Sequence, residues 1–332
     1  MTDGLPPKLY DTCRARPEKV LLYPGEAPHV IRAARILQDA GLARPVLLGG
    51  PFTIRDVASE QGLVTRGLSI EKPLRLADEE GVYAALKRTF FFKDLNRPYW
   101  RNRFSDPLTA VWGALFTGRA RAGLAGIDHT MHQFLKTLLP LWKARGVNRH
   151  IFSFYALSHP ATKRLMLFGD CSFNIRSGPE QLGDRAVTLG RLYKQLTGEM
   201  ARVALLSFAT MDSADHPKVE TVRRAAEWAH KNSDDVLCDG PYQVDAALDA
   251  AVAAKKAPHG RLKGNANVFI FPTLDSGNIA VKMAEHLGGW QVTGPMITGS
   301  AENLHFITAQ ANAGQIVRQA VLALNMKNNL TE

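Results

Sequence analysis

Apolar positions along this chain follow two patterns: short unbroken runs, and longer stretches with an apolar residue at every third or fourth place. The run KVLLYPG, starting at Lys19, reads as a buried strand. The stretch APHVIRAARILQDAGLARPVLLGG that follows puts Val30, Ala33, Ala34 and Leu37 on one helical face ahead of a second apolar run. Strand-helix-strand units of this kind pack as parallel strands with right-handed crossovers, so the chain is predicted to be α/β. DHTMHQFLKTLLPLWKARG carries Phe134, Leu135, Leu138, Leu139 and Trp142 at helical spacing, with Gly146 as its stop. IFSFYAL and RLMLFGDCSFNI flank a turn at His159 and Pro160 and are expected to pair antiparallel. Leu182, Ala186, Leu189, Tyr193 and Leu196 mark a further helix, RVALLSF a buried strand, and HPKVETVRRAAEWAHK a helix with Pro217 in its first turn. Ile316, Val317, Ala320 and Leu324 mark the last helix.

The pattern is most compressed in NVFIFPTLDSGNIAVKMAEHLGGWQVTGPMITG, residues 267–299. Here the strand VFIF runs through Pro272 into a turn. Asp275 or Ser276 is expected to cap a helix whose buried face is Ile279, Ala280, Met283, Ala284 and Leu287. Gly277 would let backbone approach a ligand closely. Free N–H groups and the positive end of the helix dipole favour an anion at this place, which makes Ser276, Gly277 and Asn278 candidate phosphate-binding residues. The alternative is that the polar residues only cap the helix.

Composition narrows the class. The 332 residues are 45% hydrophobic and 22% charged, enough for a sizeable core and for two domains. No apolar run reaches the roughly 20 residues needed to cross a bilayer, and MTDGLPPKLYDTC lacks a leader's pattern, so a cytoplasmic protein without a membrane partner is expected. Cys13, Cys171 and Cys238 are widely separated, against a disulfide framework or a sulfur-ligated metal. Asp128, His129 and His132 have a metal-like spacing, but no further ligand is apparent and no metal is expected.

The formal net charge of +10 favours a polyanionic partner, either nucleic acid or a phosphate-bearing small molecule. Cations concentrate in KRTFFFKDLNRPYWRNRF, residues 87–104, interleaved with aromatics. That segment could stack on single-stranded nucleic acid, could be pinned to a core by its aromatics with its charges in water, or could bind phosphates through Lys87 or Arg88.

Several stretches, taken in order, resemble the phosphate acetyltransferase and phosphate butyryltransferase family. FPTLDSGNIAVKMAEHLGGWQVTGPMITG is similar to its Phe-Pro-x-Leu-x-x-Gly-Asn-Ile turn, Gly-Gly stop and Gly-Pro. KVLLYPGEAPHVIRAARILQDAGLARPVLLG resembles its first strand-helix-strand, and DPLTAVWGALFTGRARAGLAGIDHT its Asp-Pro helix and Gly-x-x-His-Thr strand. LMLFGDCSFNI, RVALLSFATMDSADHPKVETVRRA and CDGPYQVDAAL resemble further segments in the same order.

The resemblance implies two layered α/β domains around an interdomain cleft, of the isocitrate/isopropylmalate dehydrogenase-like type, with boundaries expected at 1–148 plus 298–332 and at 149–297. It implies a homodimer that moves a short acyl group between coenzyme A and phosphate. Coenzyme A or acyl-CoA then enters as substrate and no cofactor is tightly bound. It also implies that His129, Thr130 and Lys136 bind phosphate, with Lys136 where the family carries arginine, while Arg88 is a phosphate candidate from the basic stretch 87–104 itself. At the reactive end the family has Ser-Arg and, further on, an Asp base; the corresponding residues are Thr308, Ala309 and Gln315. Gln315 can orient a thiol but cannot take its proton. His129, His132, His216 and His305 are the imidazoles available for that task, and His305 stands in the altered segment. An acyltransferase is therefore weighed against a homologue that binds CoA-type ligands or partner subunits without efficient turnover. Nucleic-acid binding through residues 87–104 is the third alternative.

Overall fold

The computed structural model describes residues 4–76, 78–89, 92–94, 96–144, 151–162 and 164–326. The chain divides into two compact units: Pro7–Arg149 with Gly299–Glu332, and His150–Thr298 with the short Asp3–Pro6 segment. In the first unit the elements run α1 (Pro7–Ala15), β1 (Lys19–Leu22), α2 (Pro28–Asp39), β2 (Arg44–Leu48), α3 (Pro51–Glu60), β3 (Ser69–Glu71) and α4 (Pro73–Leu76). They continue with α5 (Glu79–Lys87), α6 (Arg97–Phe104), α7 (Pro107–Phe116), β4 (Ala122–Ala125) and α8 (Met131–Ala144). The second unit holds β5 (Phe152–Ser158), β6 (Leu165–Gly169), α9 (Pro179–Thr197), β7 (Arg202–Leu206), α10 (Pro217–Asn232) and β8 (Leu237–Tyr242). It ends with α11 (Val244–Leu248), α12 (Ala250–Lys256), β9 (Val268–Ile270), α13 (Leu274–His286) and β10 (Gln291–Thr298), after which β11 (Leu304–Phe306) and α14 (Ala313–Asn325) return to the first unit.

The first sheet has the order β11-β4-β1-β2-β3, and every pairing in it is parallel. Parallel sheets are covered on both faces, which is why β1 and β4 read as continuous apolar runs. Helix α2 packs on β2 and α14, and α7 packs on β4 and gathers α4, α5, α6 and α8. The expected α2 face is buried: Val30, Ala33, Ala34 and Leu37 are all inaccessible, as are Phe134, Leu138 and Trp142 of α8. The predicted stop of α8, Gly146, lies outside the described residues.

The second sheet has the order β10-β5-β6-β9-β7-β8. Its β5–β6 pair is antiparallel, as the short turn at His159 and Pro160 implied, and β10 joins β5 antiparallel while β6, β9, β7 and β8 run parallel. Helix α9 buries Leu182, Ala186, Leu189, Tyr193 and Leu196. Among the described residues no helix is long and apolar enough to cross a membrane. Cys13, Cys171 and Cys238 are buried free thiols.

The expected buried face of α13 is corrected in part, since Ala280 and Ala284 are partly buried and pack against the core of the second unit. Ile279, Met283 and Leu287 are 58%, 55% and 79% exposed, and the buried residues of the helix are Gly277 and Val281. Periodicity located one apolar stripe, but the side that meets the core is the narrow one, where a glycine permits close approach. The capping expectation shifts by two residues: Thr273 is the N-cap and its hydroxyl accepts from the Ser276 amide.

The residues 87–104 have a structural explanation. Trp100 and Phe104 are 1% exposed, Arg97 pairs with Glu80, Arg101 lies 3.7 Å from Glu79, and Arg103 donates to the Thr137 carbonyl at 2.8 Å. Those two aromatics are core residues that pin the segment, not platforms for stacked bases. Phe90 and Phe91 lie outside the described residues.

In the second unit Asp170 closes β6 in the left-handed region (φ 70°), a conformation that Asp tolerates better than most residues. Its carboxylate accepts from Arg185 on α9 and from Asn174 and Ser177 of the following loop, and the Asp170 and Arg185 side chains are 3% and 4% exposed. Removing one partner of such a pair strands a buried charge, at a cost of about 3–5 kcal/mol. Arg185→Met is therefore expected to lower the unfolding free energy by that order in urea titrations, and Arg185→Met combined with Asp170→Asn to recover a substantial part of it.

Candidate functional site

Parallel strands end together, so the turns that leave their carboxyl ends are brought side by side. In the first unit these turns are stitched by main-chain bonds: Tyr23 N–H donates to the Leu124 carbonyl (3.0 Å), Gly25 to Leu48 (2.8 Å) and Ile307 to Ala125 (2.7 Å). Gly126, the residue after β4, has φ 122°, and a Cβ there would stand 2.4 Å from the Phe306 ring, so only glycine lets the two turns lie this close.

Three side chains from two of these turns form a hydrogen-bonded chain. The Tyr23 hydroxyl donates to Oδ2 of Asp128 at 3.2 Å, and Oδ1 of Asp128 lies 2.6 Å from Nδ1 of His129. Burial, with the Asp128 carboxylate beside it, pushes the Tyr23 phenol well above its ordinary range, so it stays a donor. A carboxylate on Nδ1 favours the tautomer with the proton there and leaves the lone pair on Nε2, the arrangement of a general base. The His129 side chain is 20% exposed, so it is held yet reachable. Thr308 is half-buried and follows β11, the neighbour of β4, at the same end of the sheet.

Other predicted residues have different positions. His305, expected as a base, is fully buried within β11, where its Nε2 lies 2.6 Å from Oδ1 of Asn303 and burial lowers its pKa to about 3. It is a neutral core residue out of reach of a substrate. Gln315 is the third residue of α14 and forms a capping box: its Oε1 accepts from the Asn312 amide (2.9 Å) while its own amide donates to Asn312 Oδ1 (2.9 Å). The oxygen expected to orient a thiol is committed to the helix start. Thr130, expected to bind phosphate, donates both its amide (2.7 Å) and its hydroxyl (3.0 Å) to Gln133 at the start of α8. His216 caps α10 through Nδ1, and His132 is exposed on α8. Lys136 on α8 and Arg88, the C-cap of α5, are exposed cations in the same unit as His129.

Ser276, Gly277 and Asn278 lie in the second unit, and several donors of that helix start already have partners. The Leu274 amide donates to the Ile175 carbonyl (3.3 Å), the Ser276 hydroxyl to the Thr273 carbonyl (2.8 Å), and Asn278 Nδ2 lies 3.5 Å from the Cys171 carbonyl. A Cβ on Gly277 would meet Cys171 Sγ at 2.8 Å and Cα at 3.1 Å, so this glycine accommodates the loop after β6. Asp275 adds a negative charge to the first turn. Among the described residues no group of three or more His, Cys, Asp or Glu is placed to hold a metal.

Sequence reasoning passed over Tyr23 and used Asp128 only in the metal comparison. The available signal was position: Tyr23 is the first residue beyond an apolar parallel strand, where a polar group faces the ligand end of the sheet.

The architecture is two α/β units, the first with a polar cluster beyond the carboxyl ends of its parallel strands. The chain belongs to the phosphate acetyl/butaryl transferase family, whose profile matches residues 7–324. It is 30% identical to the phosphate acetyltransferase of Paracoccus denitrificans over 325 residues, covering 96% of this chain and 98% of that one. It is 32% identical to the phosphate acetyltransferase of Nitrosomonas europaea across 90% of its own length but spans only 42% of that relative. Among solved structures, a phosphotransacetylase from Streptococcus pyogenes is similar with a TM-score of 0.86 at 26% identity, 96% of each chain being covered.

The buried imidazole gives a signed pH dependence. Between its ordinary value of 6.5 and about 3, His305 is neutral when folded and protonated when unfolded, so the unfolded chain binds the extra proton. Stability from this group is complete above pH 6.5 and is lost as the pH falls toward 3, at about 1.4 kcal/mol per pH unit. His305→Gln is expected to flatten the acid limb of unfolding free energy against pH by that slope. An unchanged limb would show that His305 is not kept neutral by the fold.

Proposed function

We propose that this chain transfers a short acyl group, acetyl or a close homologue, between coenzyme A and inorganic phosphate, with His129 as the base. The observation that carries this reading is the Tyr23–Asp128–His129 chain at the carboxyl ends of β1 and β4, with Thr308 beyond the same end of the adjacent strand β11. In the thioester-forming direction, Nε2 of His129 takes the thiol proton and the thiolate forms a bond to the acyl carbonyl carbon. The carbon–oxygen bond to phosphate then breaks, and the phosphate leaves with its electron pair. A thiol near its ordinary pKa needs such a base to become the nucleophile. In reverse, phosphate attacks the thioester and the imidazolium returns the proton to the departing sulfur.

Thr308 offers a hydroxyl to hold the sulfur, and Lys136 and Arg88 supply positive charge for phosphate oxygens. Coenzyme A enters as a substrate. The wholly buried, free cysteines fit a reducing cytoplasm. The exposed stripe of Ile279, Met283 and Leu287 on α13 supports a homodimer that covers it.

The test is release of free thiol from acetyl-CoA and longer acyl-CoA species, with and without phosphate. Turnover is expected only with phosphate. His129→Gln is expected to lower kcat by about 10²- to 10⁴-fold, and Lys136→Met to raise the KM for phosphate. Full turnover in His129→Gln would remove the imidazole from the mechanism. Thermal stabilisation by coenzyme A without turnover on any acyl-CoA would favour the non-catalytic homologue.

A further inference from the structure

The opposite end of the first sheet carries a second charged feature that acyl transfer does not use. Two hollows of about 330 Å³ and 470 Å³ adjoin there, sharing Glu18 and Arg121 in their walls. Lys19 is the first residue of β1, Arg44 the first of β2, and Arg121 immediately precedes β4, so these cations mark the amino-terminal edge of the parallel sheet. Strands of this length separate them from the turns carrying Tyr23 and His129 by roughly 13–15 Å. With Arg16 and Arg119, five cations and the single carboxylate of Glu18 stand in the walls of the two hollows.

The fold fixes part of this cluster and leaves part of it unanswered. Glu18 lies 2.8 Å from Arg16 and 4.0 Å from Arg44. Arg44 donates through Nε to the Pro17 carbonyl (3.1 Å), and Arg121 through Nη2 to the carbonyl of Met326 at the end of α14 (2.6 Å). Each guanidinium is thus tethered to a main-chain carbonyl, and with five N–H donors apiece both have donors beyond that bond, Arg121 in the wall of both hollows and Arg44 in that of the larger. Structural use accounts for those two arginines but not for Lys19 and Arg119, whose side chains have no ion-pair or hydrogen-bond partner among the described residues. Like charges gathered around one carboxylate repel one another, and a polyanion seated among them relieves that repulsion.

We infer that these joined hollows are a binding site for a small, multiply charged phosphate ligand, such as a di- or triphosphate group. Arg44 and Arg121 act as pre-oriented forks, and Lys19 and Arg119 as the added charges. The fork geometry of guanidinium suits phosphate oxygens, and a recess of this volume takes a compact ligand rather than a long strand. The site is independent of the acyl-transfer reading, since it lies at the other end of the sheet.

Lys19 and Arg119 are the residues to change, because neither side chain holds the fold together. Calorimetry and thermal unfolding at low salt, on the full chain without added metal, would use inorganic tripolyphosphate and ATP as probes. Tripolyphosphate is expected to bind and to raise the unfolding temperature. Lys19→Gln with Arg119→Gln is expected to weaken that binding by about 100-fold, roughly tenfold per charge removed, while the unliganded protein unfolds at the same or a higher temperature. Lys19→Arg with Arg119→Lys, which keeps both charges, is expected to retain binding. Equal affinities for the two probes would assign recognition to the phosphate chain alone, and tighter ATP binding would add the nucleoside to the ligand. The proposal is overturned if neither probe binds, or if the neutral double variant binds both as tightly as the natural chain.

Discussion

The pairing of β11 with β4, and of β4 with β1, is the constraint on which the site depends. Leu304, His305 and Phe306 register against Gly123, Leu124 and Ala125, and Val20, Leu21 and Leu22 register against Ala122, Gly123 and Leu124. These are parallel ladders buried in apolar surroundings, where an unmade main-chain bond is expensive, so the register is fixed. Because the strands run the same way, residues far apart in the chain must emerge at one edge. Tyr23, the 126–130 turn and Thr308 lie beyond the same edge of the sheet for that reason alone. The charged hollows at the other edge follow from the same geometry, since the residues that begin the strands are collected just as firmly.

Within this frame the polar groups divide by what holds them. His305 and Gln315 belong to the scaffold, one as a neutral imidazole beside Asn303 and the other as half of a capping box with Asn312. His129 is held on one side by Asp128 and remains partly open on the other. A base needs both properties, because an imidazole that cannot be reached transfers no proton and one that is not oriented transfers it slowly. The base proposed for the chain therefore stands on a turn beyond β4, while the altered segment around Thr308 contributes a hydroxyl and no base.

Much of the fold was legible because apolar periodicity reports burial directly. The strand at Lys19, the helix faces of Val30 to Leu37 and Leu182 to Leu196, and the antiparallel strands around His159 all have the pairing and burial their patterns imply. Periodicity failed on α13, because a stripe such as Ile279, Met283 and Leu287 looks the same whether it faces a core or water. Gly277 has a role that the sequence hides for a related reason: a glycine at a helix start admits any close neighbour, and here it admits Cys171. The site was legible only as residue types. The partners themselves are local, Asp128 beside His129 and Asn303 two residues before His305, but which imidazole is buried and which is reachable depends on packing between strands that no local window contains.

Oxygen labelling tests the central claim most directly. The protein would be incubated with acetyl-CoA and phosphate labelled with ¹⁸O at every oxygen, and the products weighed by mass spectrometry. Attack of phosphate on the thioester carbonyl predicts acetyl phosphate that retains the full phosphate label, formed one for one with free coenzyme A. Acetate carrying solvent oxygen as the first product would mean hydrolysis instead, and no product at all would mean that the His129 turn does not serve acyl transfer in this chain.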